Sequence, residues 1–127
     1  MTLIPGESTT VGYLGLLNPI SSGTAYTNVE TLVTNAASQR KTITMIHIFN
    51  FHSSAVTVNG YYLPNSSSSV RTPASEDDYK IFEESIDALD FFIYDGTLQL
   101  NGQNDTVRLY ASTADVINVF AFGAEYS

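Results

Sequence analysis

The sequence predicts an all-β protein, a single antiparallel β-sandwich of jelly-roll type. Eight tyrosines and seven phenylalanines among 127 residues, with many valines, isoleucines and threonines, suit pleated and half-buried strands. Apolar and polar residues alternate over short segments, most clearly at 106–112. Turn-forming residues recur roughly every ten residues, a spacing that is typical of sandwiches and barrels. Together these observations indicate one domain built from two packed sheets.

The N-terminal part of the chain differs from the rest. Residues 1–24 contain one charged residue, Glu7, together with two prolines, four glycines and a central apolar run at 11–17. We predict that 1–24 is an extended arm that docks on a neighbouring subunit, followed by a sandwich domain over 25–127. The alternative is that this segment supplies the first strand of the sandwich. If it is an arm, the apolar residues of its central run contact the partner: Val11, Tyr13, Leu14, Leu16 and Leu17.

The remaining strands follow from alternation and from the turns that bound them. They are predicted at 28–34, 41–51, 55–63, 91–94, 97–100, 106–112 and 115–124. In the second of these, Ile43, Met45, Phe49 and Phe51 fall on one side. Residues 79–82 are compatible with a strand or with a helix that begins after Ser75, and we favour the strand.

The last predicted strand is apolar on both sides. Ile117, Val119 and Ala121 alternate with a second apolar set, Val116, Phe120 and Phe122. Only one side of a sheet can face the core of a sandwich, so the other needs a different cover. We therefore expect Val116, Phe120 and Phe122 to lie in a subunit interface of a homo-oligomer.

Composition excludes several classes of function. The formal net charge is −8, so we expect no binding to nucleic acid or to an anionic membrane. No apolar run reaches the roughly 18–20 residues of a membrane span, and no signal-peptide pattern is present. Cysteine is absent, which removes disulfides, thiolate metal sites and cysteine nucleophiles. The expected protein is soluble and acidic.

The chain lacks recognisable catalytic motifs. His47 and His52 are its two histidines, and their spacing does not place both on one strand face. The serine-hydrolase elbow and the glycine-rich phosphate loops are also missing. We therefore predict no enzyme activity, no catalytic residues, no cofactor and no metal.

An acidic stretch at 76–90 contains seven carboxylates and one lysine, Lys80. We interpret it as a solvated flank, while a calcium site, a pair of glycosidase carboxylates or a contact with a basic partner are the alternatives. No calcium-loop spacing is visible in this stretch.

The order of segments resembles a known family. The first half is carried by 25–29, 40–50 and 55–58, and the second by 95–100, 104–112 and 116–125. A basic and threonine-rich strand that ends in asparagine precedes a Ser/Ala turn and a valine–threonine strand. This pattern resembles the small β-sandwich virion proteins of tailed bacteriophages, over roughly residues 25–125.

The resemblance implies a non-enzymatic virion protein, most like a capsid decoration (cement) protein. The expected partner is the major capsid protein, at the exterior of the virion, after synthesis in the host cytoplasm. The resemblance also makes a trimer the first expected form of the homo-oligomer. A tail, neck or baseplate accessory protein is the first alternative, with a tail or baseplate protein as partner. A carbohydrate-binding or adhesion module is the second, with Tyr61 and Tyr62 as candidate stacking platforms.

Overall fold

The computed structural model describes residues 8–21, 24–65 and 72–127. These residues contain nine strands and one 3₁₀ helix, Tyr26–Asn28, and none of their helices is long and apolar enough to span a membrane. The strands are β1 (Thr9–Leu17), β2 (Glu30–Thr34), β3 (Arg40–Asn50), β4 (Val56–Leu63), β5 (Lys80–Ile86), β6 (Phe91–Tyr94), β7 (Leu98–Leu100), β8 (Thr106–Ala111) and β9 (Ile117–Tyr126). The preference for a strand after Ser75 is confirmed, since β5 covers most of the ambiguous segment.

The strands form two antiparallel sheets that pack face to face. The five-stranded sheet has the order β1-β9-β3-β6, with β7 also paired to β3, and the four-stranded sheet has the order β2-β8-β4-β5. Apart from the three-residue β7, this leaves eight strands in two sheets of four, with the connections of a jelly roll. The prediction of an all-β sandwich is confirmed.

The core lies between the two inner faces. Among its fully buried side chains are Ile46 and Ile48 of β3, Val58 of β4 and Leu109 of β8. From β9 the core takes Ile117, Val119 and Ala121. Side chains alternate between the two sides of a strand, so Phe120 and Phe122 of the second apolar set lie on the outer side of β9, away from the core.

A β-bulge changes the phase of β3. The pairing with β9 shifts between Ile43 and Met45, so that Ile43 faces the core and Ile46 is the next residue to do so. The sequence-based grouping of Met45 and Phe49 with Ile43 is wrong, because one extra residue exchanges the two faces of a strand.

The segment before the 3₁₀ helix is part of the sandwich. Strand β1 pairs with β9 along its whole length, and Ile20 is fully buried in the core. Gly15 lies against β2, where an added Cβ would meet the Leu32 carbonyl oxygen at 1.9 Å. The prediction of an arm over 1–24 is therefore wrong for 9–20, which supply the first strand and a core residue, while 1–7 lie outside the described residues.

The two ends of the described chain meet at one corner of the five-stranded sheet. Ser8 and Ser127 exchange two backbone hydrogen bonds, with N–O distances of 2.8 and 3.0 Å. The corner lies where β1 begins and β9 ends.

Candidate functional site

The outer faces of the two sheets differ in how they are covered. On the four-stranded sheet, Tyr61, Leu63 and Tyr110 are buried together with Val29, and Tyr26 of the 3₁₀ helix packs against them. The turn before β5 also contacts this face, because the Tyr61 hydroxyl donates to the backbone oxygen of Glu76 at 2.7 Å. The chain's own loops thus shield this side of the sandwich.

The outer side of the five-stranded sheet instead carries large exposed apolar side chains. Tyr13 is 73% exposed and Leu16 64% exposed on β1, and Phe91 is 55% exposed and Ile93 41% exposed on β6. We call this surface the exposed face. Its apolar and aromatic members are Val11, Tyr13, Leu16, Met45, His47, Phe49, Phe91, Ile93, Phe120, Phe122 and Ala124.

Aromatic rings cross the exposed face from one edge to the other. The Tyr13 ring meets the edge of Phe120 at a centroid distance of 5.2 Å, and Phe120 stacks on His47 at 5.0 Å. His47 in turn stacks on Phe91 at 5.3 Å, while Phe122 contacts Tyr13 at 5.8 Å. Edge-to-face and stacked pairs of this kind are favourable beyond the area that they bury, so the rings support one another. The result is a preorganised aromatic surface.

A shallow pocket lies at the β1 side of this surface. It has a volume of about 290 Å³ and is lined by Tyr13, Leu16 and Phe120. All three lining side chains are apolar or aromatic, which fits an apolar side chain better than a charged group.

Charge is nearly absent from the exposed face. No described outward-facing residue within its strands is Asp or Glu, although the exposed Asp90 and Asp95 flank β6 and the chain carries a net charge of −8. The charged residue on this side is Arg40, whose guanidinium lies 5.3 Å from the centre of the Tyr126 ring at the end of the face. A contiguous apolar patch that extends over four strands is a usual mark of a protein–protein interface.

No known protein family and no curated protein matches the chain. Among solved structures, the CBM22-1–GH10 modules of the Clostridium thermocellum endo-1,4-β-D-xylanase 10B, complexed with xylohexaose, align at 8% identity with a TM-score of 0.35. That alignment covers 98% of this chain and 25% of the xylanase chain. An infectious bursal disease virus (Gt strain) structure aligns at 8% identity with a TM-score of 0.31, over 94% of this chain and 31% of the viral one. At these TM-scores neither likeness bears on function.

The sequence-predicted interface residues divide into two groups. Val11, Tyr13 and Leu16 lie on the exposed face with Phe120 and Phe122, where β1 pairs directly with β9. The other three, Leu14, Leu17 and Val116, pack against the hydrophobic core. The exposed face also includes residues that the sequence did not single out, among them His47, Phe91 and Ile93. Regular alternation on β6, and on β3 after its bulge, was the available signal, but only the pairing of the strands shows that these residues share the outer side of the sheet.

The acidic stretch is organised around Lys80. Its Nζ lies 2.7 Å from a carboxylate oxygen of Glu83, 3.4 Å from Asp77 and 3.6 Å from Glu76. The hydrogen bond to Glu83 is the main reason that the pKa of Lys80 is raised. The residues described here include no group of three or more His, Asp or Glu side chains able to hold a metal ion. The two histidines have different surroundings. His47 stacks on aromatic rings of the exposed face, whereas His52 Nδ1 accepts a hydrogen bond from the Ser54 backbone N–H at 3.1 Å.

The two tyrosines that suggested carbohydrate stacking are not surface platforms. Tyr61 is fully buried, which corrects the sequence-based expectation. Tyr62 is half-buried against the core, and its hydroxyl donates to the Gln99 backbone oxygen. Sequence alternation places Tyr61 outward correctly, but it does not reveal that the outer face of the four-stranded sheet is covered.

Proposed function

We propose that this protein is a non-enzymatic virion structural protein of a tailed bacteriophage, acting as a decoration (cement) protein on the outside of the capsid. The observation that carries the proposal is the exposed face, an uncharged aromatic surface on an otherwise acidic sandwich. A surface of rings and methyl groups gains free energy when another protein covers it, because apolar area leaves water. Assembly is the activity that such a surface serves.

The sequence resemblance supplies the rest of the proposal. The segments that resemble small phage virion proteins form the 3₁₀ helix, β3, the first part of β4, β7, β8 and β9. Of these, β3, β4, β8 and β9 are the central strands of the two sheets. The major capsid protein is the proposed partner, and the protein is made in the host cytoplasm and carried on the virion exterior. The high net charge favours solubility before attachment, since like-charged copies repel one another over most of their surface.

The test is the copy number of this chain in purified particles of the phage that encodes it. Quantitative mass spectrometry should find it in numbers comparable to the major shell protein, as expected for a decoration protein. A few copies per particle would support the alternative of a tail, neck or baseplate protein. Complete absence from purified particles would overturn the virion assignment.

A further inference from the structure

We propose that the exposed face pairs with the same face of a second copy of this chain, around a twofold axis parallel to the strands. The inference deepens the proposed function and rests on its premise that the exposed face is a protein interface. It assigns that face to a second copy of the chain, which leaves the other surfaces of the pair for the capsid protein. It differs from the trimer expected from the sequence.

The register of the sheet places four side chains at one level across all four main strands. Leu16 pairs with Phe120, Phe120 with His47, and His47 with Ile93. We call these four residues the central row. A twofold axis parallel to the strands, between β9 and β3, would place Leu16 of one copy opposite Ile93 of the other. The same operation would place His47 opposite Phe120.

The two ends of the central row differ in shape in the way that such an axis requires. At the β1 end, Tyr13, Leu16 and Phe120 line the shallow pocket. At the β6 end, Phe91 and Ile93 are exposed side chains. A twofold interface uses one patch twice, so it must contain its own complement. Here the branched side chain of Ile93 would enter the pocket of the partner copy, and the contact would occur twice.

The distribution of charge favours a second copy as the occupant over a basic partner. A basic partner surface would be attracted to carboxylates, and the exposed face offers none among its described members. Two copies that each carry −8 can approach closely only where both surfaces lack acidic groups. The exposed face meets this condition, whereas β5 presents Glu83 and Glu84 to solvent.

The area of the exposed face sets the expected strength of the dimer. Four strands at the usual sheet spacing and about eight residues of strand length give a footprint of about 500 Å² per copy. About 1,000 Å² in total lies at the lower end of specific interfaces. We therefore expect a reversible dimer that forms at micromolar protein concentration.

Chemical cross-linking tests the axis directly, because the natural chain has no cysteine. Facing sheets pack about 10 Å apart, which is too far for a disulfide, so the reagent is a bismaleimide of about that span. We expect an equimolar mixture of Leu16→Cys and Ile93→Cys to give a cross-linked dimer, while each variant alone gives little. Leu89→Cys is the matched control, since Leu89 is 70% exposed on the turn between β5 and β6, outside the exposed face.

Sedimentation gives the second readout. Wild-type chain should be a dimer, Ile93→Asp a folded monomer by circular dichroism, and Leu89→Asp a dimer. A wild-type monomer at high concentration, a trimer, or efficient cross-linking of Leu16→Cys to itself would overturn the proposal. If Ile93→Asp does not fold, cross-linking of the cysteine mixture still tests whether the two faces pair. None of these measurements involves particles, so a monomeric chain that is abundant in virions would defeat the dimer and leave the proposed function standing.

Discussion

At the scale of single residues, two buried tyrosines fix the turn before β5 to the four-stranded sheet. The Tyr61 hydroxyl donates to the backbone oxygen of Glu76, and the Tyr110 hydroxyl donates to its carboxylate. Burial raises the pKa of both phenols above the ordinary value of 10.0, and the Glu76 carboxylate raises it further. Each phenol is therefore held in its neutral form by the folded state.

These raised pKa values predict a loss of stability in alkali. Above the unfolded-state pKa of about 10, the unfolded phenols lose protons that the folded ones keep, so the free energy of unfolding falls as pH rises. Urea unfolding followed between pH about 8 and about 11 should show this decline. Tyr110→Phe should make it shallower, and Tyr79→Phe, at an exposed tyrosine, should leave it unchanged. Equal slopes in wild type and Tyr110→Phe would contradict the assignment.

At the scale of elements, β1 and the residues that follow it as far as Ile20 close one side of the sandwich. Ile20 lies in the core, and the backbone hydrogen bond from its N–H to the Ile117 oxygen, at 2.9 Å, fixes it to the start of β9. Gly15 allows β1 to approach β2 so closely that no side chain fits between them. The two sheets are thereby joined along this edge.

Replacing Ile20 with alanine should therefore destabilise the whole domain. We expect a loss of about 2–5 kcal/mol in the free energy of unfolding, the range for removing a large aliphatic side chain from a packed core. Val11→Ala, on the exposed face of the same segment, should change it by about 0.5 kcal/mol or less. Chemical denaturation of both variants at low protein concentration makes the comparison. Equal, small losses would mean that this segment is not integral to the fold.

The sequence predicts where the strands lie along the chain better than it predicts which side of each strand is covered. Alternation locates β3, but the bulge after Ile43 is a matter of pairing with β9 and leaves no mark in the residue types. The apolar composition of β1 suits an arm or an edge strand equally, because both bury one side against something else. For β9 the sequence shows two apolar faces. Only the position of the second sheet determines that Val119 lies inside and Phe120 outside.

At the scale of the whole molecule, charge and apolar surface are segregated. The carboxylates of β5 and the turn before it gather around Lys80 on the four-stranded sheet, and the exposed face on the other sheet is aromatic. The sequence predicts both an acidic stretch and an uncovered apolar face. It does not predict that they belong to different sheets, because that depends on the crossing of the chain between sheets.

This segregation predicts how association responds to salt. Each copy carries −8, and the proposed interface is uncharged, so screening should reduce repulsion without weakening any interfacial ion pair. The dimer dissociation constant should therefore fall between low and physiological ionic strength, as measured by sedimentation equilibrium. A dissociation constant that rises with salt would indicate that attractive charge pairs hold the copies together.

Because Ser8 and Ser127 meet at one corner, the two ends of the sandwich along the strand direction differ. A twofold axis parallel to the strands preserves direction along the strands, so both copies of a pair would have this corner at the same end. Any polypeptide joined after Ser127 would then leave the pair on one side, beside the start of β1. The opposite end, where β1 ends and β9 begins, would stay free of such attachments. A dimer with two unlike ends can sit on a surface in one orientation and hold fused cargo away from it.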